Sequence, residues 1–144
     1  MKKALTFILL LTVFIAGGNC LEAKTTKKKA TKSGYSMRFK GSIGPYDVNV
    51  NLNGYNEDYP PNPCGGLSMD LKGNYTYVKA GNSLSLKGFI CYGMGLMTLE
   101  EYTKSGKHSG TWDLESDDGF QTVTGTFTNL SNQNTFDVYL RAVN

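Results

Sequence analysis

The stretch that decides the fold is residues 68–90, SMDLKGNYTYVKAGNSLSLKGFI. In its first half an apolar residue or glycine recurs at every second position, from Met69 to Tyr77, with polar residues between. The same alternation resumes after Ala80-Gly81-Asn82. A period of two is typical of a strand with one buried face. The stretch therefore predicts two antiparallel strands joined by a tight turn.

The alternation extends from this hairpin in both directions along the chain. It runs through residues 37–43, 48–52, 97–101, 110–114, 123–127 and 136–142. Residues 54–66 contain three prolines and are expected to form one long irregular loop. No stretch has a convincing helical period. The pattern predicts about eight strands in a single antiparallel up-and-down meander, because short connections favour neighbouring strands.

An all-β chain without helices must cover its apolar face with its own sheet. We therefore expect a closed or nearly closed barrel, with a β-sandwich as the alternative. Five glycines fall on the expected inward face: Gly41, Gly73, Gly88, Gly110 and Gly125. Glycine inside a strand marks a sharp coil or a ring packed on the backbone. These glycines are the predicted sites at which the barrel bends.

The N-terminal residues have the form of a secretory signal typical of bacteria. Lys2 and Lys3 precede an apolar run over residues 5–16, which is too short to span a bilayer permanently. We expect a signal peptide over 1–18, with cleavage there or as late as residue 23. The mature protein is then periplasmic or secreted. The alternative is an outer-membrane lipoprotein carrying its lipid on Cys20.

Residues 19–34 are expected to form a disordered Lys/Thr-rich tether ahead of a barrel domain over 35–144. Five lysines and no acidic residue occur in residues 24–32. From residue 33 onward, eight basic residues face eleven acidic ones, a net charge of −3. The acidic domain and the export signal argue against nucleic-acid binding. Membrane contact is expected only through the signal peptide or a lipid on Cys20.

Two cysteines, Cys64 and Cys91, remain if Cys20 leaves with the signal peptide. An even number in an exported chain predicts a disulfide, and two separate buried thiols are the alternative. Neither cysteine has the paired Cys or His neighbours of a zinc site. We expect no metal and no cofactor.

The export signal, the strand pattern and three Gly-x-aromatic triplets, at 73–75, 110–112 and 125–127, resemble the calycin group of lipocalins and avidins. The run Thr-Gly-Thr-Phe-Thr-Asn over residues 124–129 is similar to the Thr-Gly-Thr-Trp-Tyr-Asn opening of avidins. Here it lies in the seventh predicted strand. The resemblance implies the barrel architecture and no binding residues. Segments 99–102, 109–112 and 123–127 also resemble small exported bacterial proteins of unassigned function, which implies the exported setting.

No catalytic motif stands out in the sequence. His108, the one histidine, is predicted at the surface beside Lys107. Glu100 and Glu101 are adjacent in a strand and must point to opposite faces. Glu101 has the inward phase, so it needs a partner such as Arg141, Arg38 or a tyrosine hydroxyl, unless it lies at the rim. The acidic run before Gly119 fits a hairpin turn better than a calcium loop.

The aromatic residues supply the candidate binding site. Ligand-binding residues are predicted among the inward set: Tyr75, Tyr77, Glu101, Trp112 and Phe127. Tyr55 and Tyr59 are predicted to contact a partner from the 54–66 loop.

The expected function is a non-enzymatic binding module for a small apolar or glycan ligand, or for an envelope partner. The alternative is a structural or inhibitory envelope protein with a packed barrel acting through that loop. An enzyme would need a second carboxylate within about 10 Å of Glu101 across an open cleft.

Overall fold

The computed structural model describes residues 35–55, 64 and 68–143. Its elements are eight strands: β1 Tyr35–Ile43, β2 Tyr46–Tyr55, β3 Ser68–Tyr77, β4 Ser83–Cys91, β5 Leu96–Tyr102, β6 His108–Glu115, β7 Thr122–Asn129 and β8 Thr135–Ala142. Within these residues we find no helix with the length and apolar character needed to cross a bilayer. The predicted signal peptide over 1–18, the tether over 19–34 and Tyr59 lie outside the described residues.

The eight strands form one closed antiparallel barrel in sequence order. Each strand pairs with the next, and β8 closes the barrel on β1 through pairs running from Phe39↔Ala142 to Ile43↔Val138. The predicted meander is confirmed, and the sandwich alternative is not adopted. Among the described strands, closure gives each strand a partner on both sides, whereas a flat eight-strand sheet would expose two edges.

The barrel interior is built from the inward positions of the two-residue alternation. In β2, Val48, Val50 and Leu52 are buried between more exposed neighbours. The other strands contribute the same kind of set, and the fully buried residues include Phe39, Ile43, Leu71, Tyr75, Leu86, Ile90, Met97, Leu99, Trp112, Val123 and Leu140. Eight strands enclose a space that side chains can fill, and these buried side chains point into it.

One core residue, Phe120, does not follow from the alternation. It lies in the turn between β6 and β7, has a positive φ of 66° and is only 6% exposed. Its ring contacts Tyr92 edge-on, with 5.7 Å between centroids. The turn was predicted from the acidic run before Gly119, but nothing in that composition indicates that the next residue folds back over the end of the barrel.

Two glycines show why the strands bend where they do. A Cβ atom on Gly125 would overlap the backbone carbonyl of Asp113 in β6, and its φ of 150° is one that L-residues rarely adopt. A Cβ on Gly110 would overlap the ring of Phe127. The first glycine permits close strand approach and the second seats a ring on the backbone. Both match the roles predicted for the inward glycines.

Cys64 and Cys91 form a disulfide, with 5.7 Å between their Cα atoms. Cys64 belongs to the connection between β2 and β3, and Cys91 ends β4. The disulfide prediction is confirmed, and the alternative of two separate thiols is wrong. The bridge attaches the longest connection of the barrel to its wall.

The connections divide the barrel into two ends. We call one end the mouth; it carries the turns at 44–45, 78–82, 103–107 and 130–134. The opposite end, the base, carries the turns at 92–95 and 116–121 and the disulfide. The candidate site lies in the half of the barrel next to the mouth.

Candidate functional site

A column of aromatic rings runs from the mouth into the barrel. Tyr46 contacts Tyr77 at 5.9 Å between ring centroids, and Tyr77 contacts Tyr75 at 5.2 Å. Tyr75 contacts Trp112 at 5.0 Å, and Trp112 contacts Phe127 at 5.5 Å. The first three pairs are edge-to-face, the arrangement that ring quadrupoles favour. The column joins an exposed ring to the centre of the core.

The structure brings together all five residues predicted to bind a ligand. Tyr75 and Trp112 are 0% exposed, whereas Tyr77 is half-buried near the surface. The contacts among Tyr75, Trp112 and Phe127 mean that these rings fill the interior at this level. A ligand that reached Trp112 would have to displace other side chains. Among these residues, Tyr77 lines a surface depression at the mouth.

Glu101 lies beneath this column with its carboxylate inside the barrel. It is 4% exposed, so the rim position considered from the sequence is not adopted. The Tyr75 hydroxyl donates to Oε2 at 2.5 Å, and the Ser109 hydroxyl donates to Oε1 at 2.6 Å. Of the three partners considered, a tyrosine hydroxyl is the one found. Each carboxylate oxygen therefore has a donor, which offsets part of the desolvation penalty of burial.

A β-bulge supplies the second donor. The pairing of β5 with β6 shifts between Glu101 and Tyr102, so that Glu101 faces Gly110 while Tyr102 faces His108. Ser109 is the extra residue, and its side chain turns to the carboxylate. Bulges commonly re-aim a side chain in this way. The inward position of Ser109 does not follow from the sequence pattern, because strict alternation places it on the outer face.

The hydroxyls of Tyr75 and Tyr77 form a short relay toward the mouth. Their oxygens are 3.2 Å apart, within hydrogen-bond distance. The Tyr75 hydroxyl is the donor toward both Tyr77, at 3.2 Å, and Glu101, at 2.5 Å, and its single proton favours the shorter bond. The two contacts fix both rings relative to the carboxylate.

Burial changes the acidity of the tyrosines in this region. Desolvation, reinforced by the hydrogen bond to Glu101, raises the pKa of Tyr75 far above its ordinary value. Desolvation also raises the pKa of Tyr77. Both phenols therefore stay protonated at neutral pH and can act as donors.

The indole nitrogen of Trp112 is a buried polar group that lacks a hydrogen-bond partner among the described residues. A buried unsatisfied donor costs about 1 to 3 kcal/mol. Trp112 therefore contributes to the core through its ring area and its contacts with Tyr75 and Phe127.

The mouth holds a depression of about 440 Å³ over Tyr77. Its lining consists of Pro45, Tyr46, Asp47, Tyr77, Lys79 and Ala80. These residues come from the turn before β2, the start of β2, the end of β3 and the turn after it. Tyr46 is 54% exposed, and its ring stands at 85° to that of Tyr77. The depression therefore presents two ring surfaces to solvent, nearly at a right angle to each other. One acidic and one basic residue lie beside them.

The sequence pattern alone does not single out Tyr46, Asp47 or Lys79 as binding residues. The available signal was their position, because Tyr46 and Asp47 follow the Gly44-Pro45 turn and Lys79 begins the turn after β3. Adjacent hairpin turns of a meander lie at the same end of a barrel.

The other predicted residues lie away from the mouth or outside the described residues. Tyr55 ends β2 at the base, where Lys72 Nζ lies 5.3 Å from its ring centroid. Tyr59 is outside the described residues. His108 is half-buried on the outer surface, stacked on Tyr102, and its Nε2–H donates to the carbonyl of Gly110 at 2.9 Å.

The two adjacent glutamates point to opposite sides of the wall, as predicted. The exposed Glu100 accepts a hydrogen bond from Tyr102 at 2.5 Å, whereas Glu101 faces the interior. In the residues that the structure describes, no cluster of three or more His, Cys, Asp or Glu side chains is arranged to hold a metal ion. The acidic run near Gly119 forms a turn in which Asp118 Oδ1 accepts from the Thr122 backbone N–H at 2.8 Å.

Two further depressions adjoin each other toward the base. One, of about 330 Å³, is lined by residues 94–96, 115–117, 122 and 124, which belong to the turns at the base and to the adjoining ends of β5, β6 and β7. The other, of about 370 Å³, lies on the outer face of β5, β6 and β7. Neither is lined by Tyr75, Trp112 or Phe127.

Comparison with known proteins shows no match: neither a family model, nor a curated protein, nor a solved structure is similar to this chain. The class that the fold defines is an eight-strand antiparallel meander barrel.

Proposed function

We propose that the protein is an exported, non-enzymatic binding module that holds a small apolar or glycan ligand at the mouth of its barrel. The observation that carries the proposal is the position of Tyr77. Its ring lines the depression at the mouth, and its hydroxyl is linked through Tyr75 to the buried carboxylate of Glu101. A surface ring held by a buried network is pre-organised, which lowers the entropy lost when a ligand binds.

The architecture supports the same class of function. The closed meander is the architecture that the resemblance to lipocalins and avidins implied, and we propose a likeness of architecture alone. Export rests on the sequence of residues 1–18. In this proposal the ligand stays at the surface of the mouth, because the rings of Tyr75, Trp112 and Phe127 occupy the interior.

A second candidate is a structural or inhibitory envelope protein that acts through the 54–66 loop. The mutual contacts of Tyr75, Trp112 and Phe127 favour it, because a filled barrel needs no ligand. The disulfide also favours it, since Cys64 attaches that loop to the end of β4.

The test is a ligand screen on the full mature protein, observed by NMR. Saccharides and small apolar compounds are added in turn, and ring resonances of Tyr46 and Tyr77 are followed. Binding at the mouth shifts these resonances, and Tyr46→Ala abolishes the shift. The matched control is Tyr139→Ala, because Tyr139 is 47% exposed on β8, away from the mouth. If no compound of either class moves the Tyr46 and Tyr77 resonances, ligand binding at the mouth is wrong and the second candidate is favoured.

A further inference from the structure

The mouth contains groups that discriminate between the two ligand classes named above. We infer that it binds a neutral saccharide unit, which packs on the Tyr77 ring and hydrogen-bonds Asp47 and Lys79, with Glu101 acting through Tyr75 as a positioning residue. This inference rests on the proposed function and specifies its ligand.

The mouth is a poor site for a purely apolar ligand. Such a ligand gains about 25 cal/mol per Å² only for area that is removed from water, so it needs an enclosed cavity. The enclosed positions of this barrel are occupied by Tyr75 and Trp112, both 0% exposed. The depression at the mouth is open, and its lining includes Asp47 and Lys79 beside a more extensive apolar surface. An apolar molecule seated there would desolvate these charges without offering a hydrogen bond in return.

A saccharide matches each of these features. One face of a sugar ring carries C–H groups, which pack on an aromatic ring such as Tyr77. Its edge carries hydroxyls, which donate to a carboxylate and accept from an ammonium group. The lining supplies Asp47 for the first role and Lys79 for the second. The ring of Tyr46, at 85° to that of Tyr77, forms a side wall for a neighbouring unit.

The buried network gives the floor of this site a fixed orientation. The Tyr75 hydroxyl donates to Glu101 and is also the donor in its contact with the Tyr77 hydroxyl. Because Tyr75 is 0% exposed, water does not compete for these contacts at Tyr75. Without an acceptor at Glu101, Tyr75 loses its shortest hydrogen bond, and the hydroxyl that Tyr77 contacts is no longer fixed in position. Glu101 is too deeply buried to touch the saccharide itself, so its effect on binding must pass through the two tyrosines.

The experiment compares two saccharide probes with one apolar probe. The N-acetylglucosamine trisaccharide and maltotriose are the saccharides, and N-phenyl-1-naphthylamine is the apolar probe. Each is titrated into the full mature protein and followed through the ring resonances of Tyr46 and Tyr77. We expect at least one saccharide to bind with millimolar or tighter affinity, the order of about −4 kcal/mol. The apolar probe is expected to leave both resonances unchanged.

Single substitutions distinguish residues that contact the saccharide from residues that position the contacting side chains. Asp47→Asn should weaken saccharide binding about fivefold, the loss of one charge-assisted hydrogen bond. The exposed Asp113→Asn, on the outer face of β6, is the matched control and should leave affinity unchanged. Glu101→Leu should weaken binding, whereas Glu101→Gln should restore it, because the amide oxygen still accepts the Tyr75 proton. Tyr75→Phe gives the same test with the ring retained, should Glu101→Leu fail to fold.

The possible results distinguish failure of the saccharide inference from failure of the proposed binding function. If the apolar probe shifts Tyr46 and Tyr77 and the saccharides do not, the saccharide inference is overturned and the binding function stands. If no probe shifts them, both fail. If saccharides bind but Tyr75→Phe and Glu101→Leu bind as tightly as the native protein, the positioning role of Glu101 is overturned.

Discussion

A carboxylate in the core of a small barrel has large consequences at the scale of single residues. Glu101 is 4% exposed and is satisfied by two neutral hydroxyls, those of Tyr75 and Ser109. Satisfied polar groups specify one arrangement of a core, and partly satisfied ones destabilise it. The stability of this region therefore depends on the match between one acceptor and its two donors.

Replacing the acceptor should destabilise the fold measurably. We expect Glu101→Leu to lower the free energy of unfolding by about 1 to 3 kcal/mol, because the buried Tyr75 hydroxyl loses its acceptor. Glu101→Gln keeps an acceptor oxygen and should lower it less. The matched control is Glu100→Leu on the exposed face of the same strand, for which we expect a change within about 0.5 kcal/mol. Guanidinium unfolding gives all three values, and equal effects at the two positions would contradict the role of the network.

The raised pKa of Tyr75 predicts loss of stability in alkaline solution. Tyrosine in the unfolded chain ionises near pH 10, whereas burial and the bond to Glu101 raise the pKa in the folded protein. Above pH 10 the unfolded state therefore loses this proton first. The free energy of unfolding should fall as pH rises, by up to about 1.4 kcal/mol per pH unit for a fully buried tyrosine.

Urea unfolding between pH 8 and 11 measures this slope, and Tyr75→Phe should flatten it. Burial also raises the pKa of Tyr92, to about 12, so Tyr92→Phe should remove a further part of the slope. If Tyr75→Phe leaves the pH dependence of stability unchanged, the pKa of Tyr75 is not raised by burial as described.

At the scale of the strands, irregular positions determine the shape of the barrel. Gly125 lets β7 approach the backbone of β6, and the bulge at Ser109 turns an outward side chain into the core. A strand of uniform alternation would provide neither feature. The wall is therefore regular enough to close and irregular enough to place a polar group inside.

A methyl group at a bend should be poorly tolerated. Gly125→Ala introduces a Cβ that overlaps the Asp113 carbonyl, at a φ of 150° that alanine rarely adopts. We expect the free energy of unfolding to fall by about 1 to 3 kcal/mol or more, as for other overpacked sites. Gly93→Ala is the control, because a Cβ there meets nothing within 4 Å. Thermal unfolding of the two variants checks the prediction, and equal melting temperatures would refute it.

At the scale of the whole molecule, two long-range links connect parts of the chain that are distant in sequence. The pairing of β8 with β1 closes the barrel, and the disulfide attaches the β2–β3 connection to β4. Pairing and disulfide act differently, since the first stabilises the folded state and the second chiefly restricts the unfolded one.

Loss of the disulfide should lower stability while leaving the barrel intact. The bridge spans a sequence separation of 27 residues. A loop of this size corresponds to about 3 to 4 kcal/mol in the chain-entropy model. We expect the double variant Cys64→Ala/Cys91→Ala to lose about this amount in guanidinium unfolding, and the native protein to lose a similar amount on reduction. A reducing agent should not affect the variant, and an effect there would show that the loss on reduction has another origin.

The class of fold and much of the core were predictable from the sequence for a local reason. A strand with one buried face alternates in composition, so Leu71, Tyr75 and Trp112 could be assigned to the interior without coordinates. Phe120 and Ser109 were missed because a turn and a bulge both break that alternation. The mouth residues Tyr46 and Lys79 were missed because their proximity depends on how two turns meet.

What the sequence by itself determined is therefore the meander, most of its inward residues and the expectation that two cysteines pair, because each follows from a repeat or a count. Only the tertiary structure decided that the Tyr75 hydroxyl meets Glu101, 26 residues away, and that Tyr77 joins this pair to an open depression. The first of these contacts crosses the interior from β3 to β5, two strands that are not neighbours in the sheet. It depends on the stagger of the closed barrel, which no local pattern of residues records.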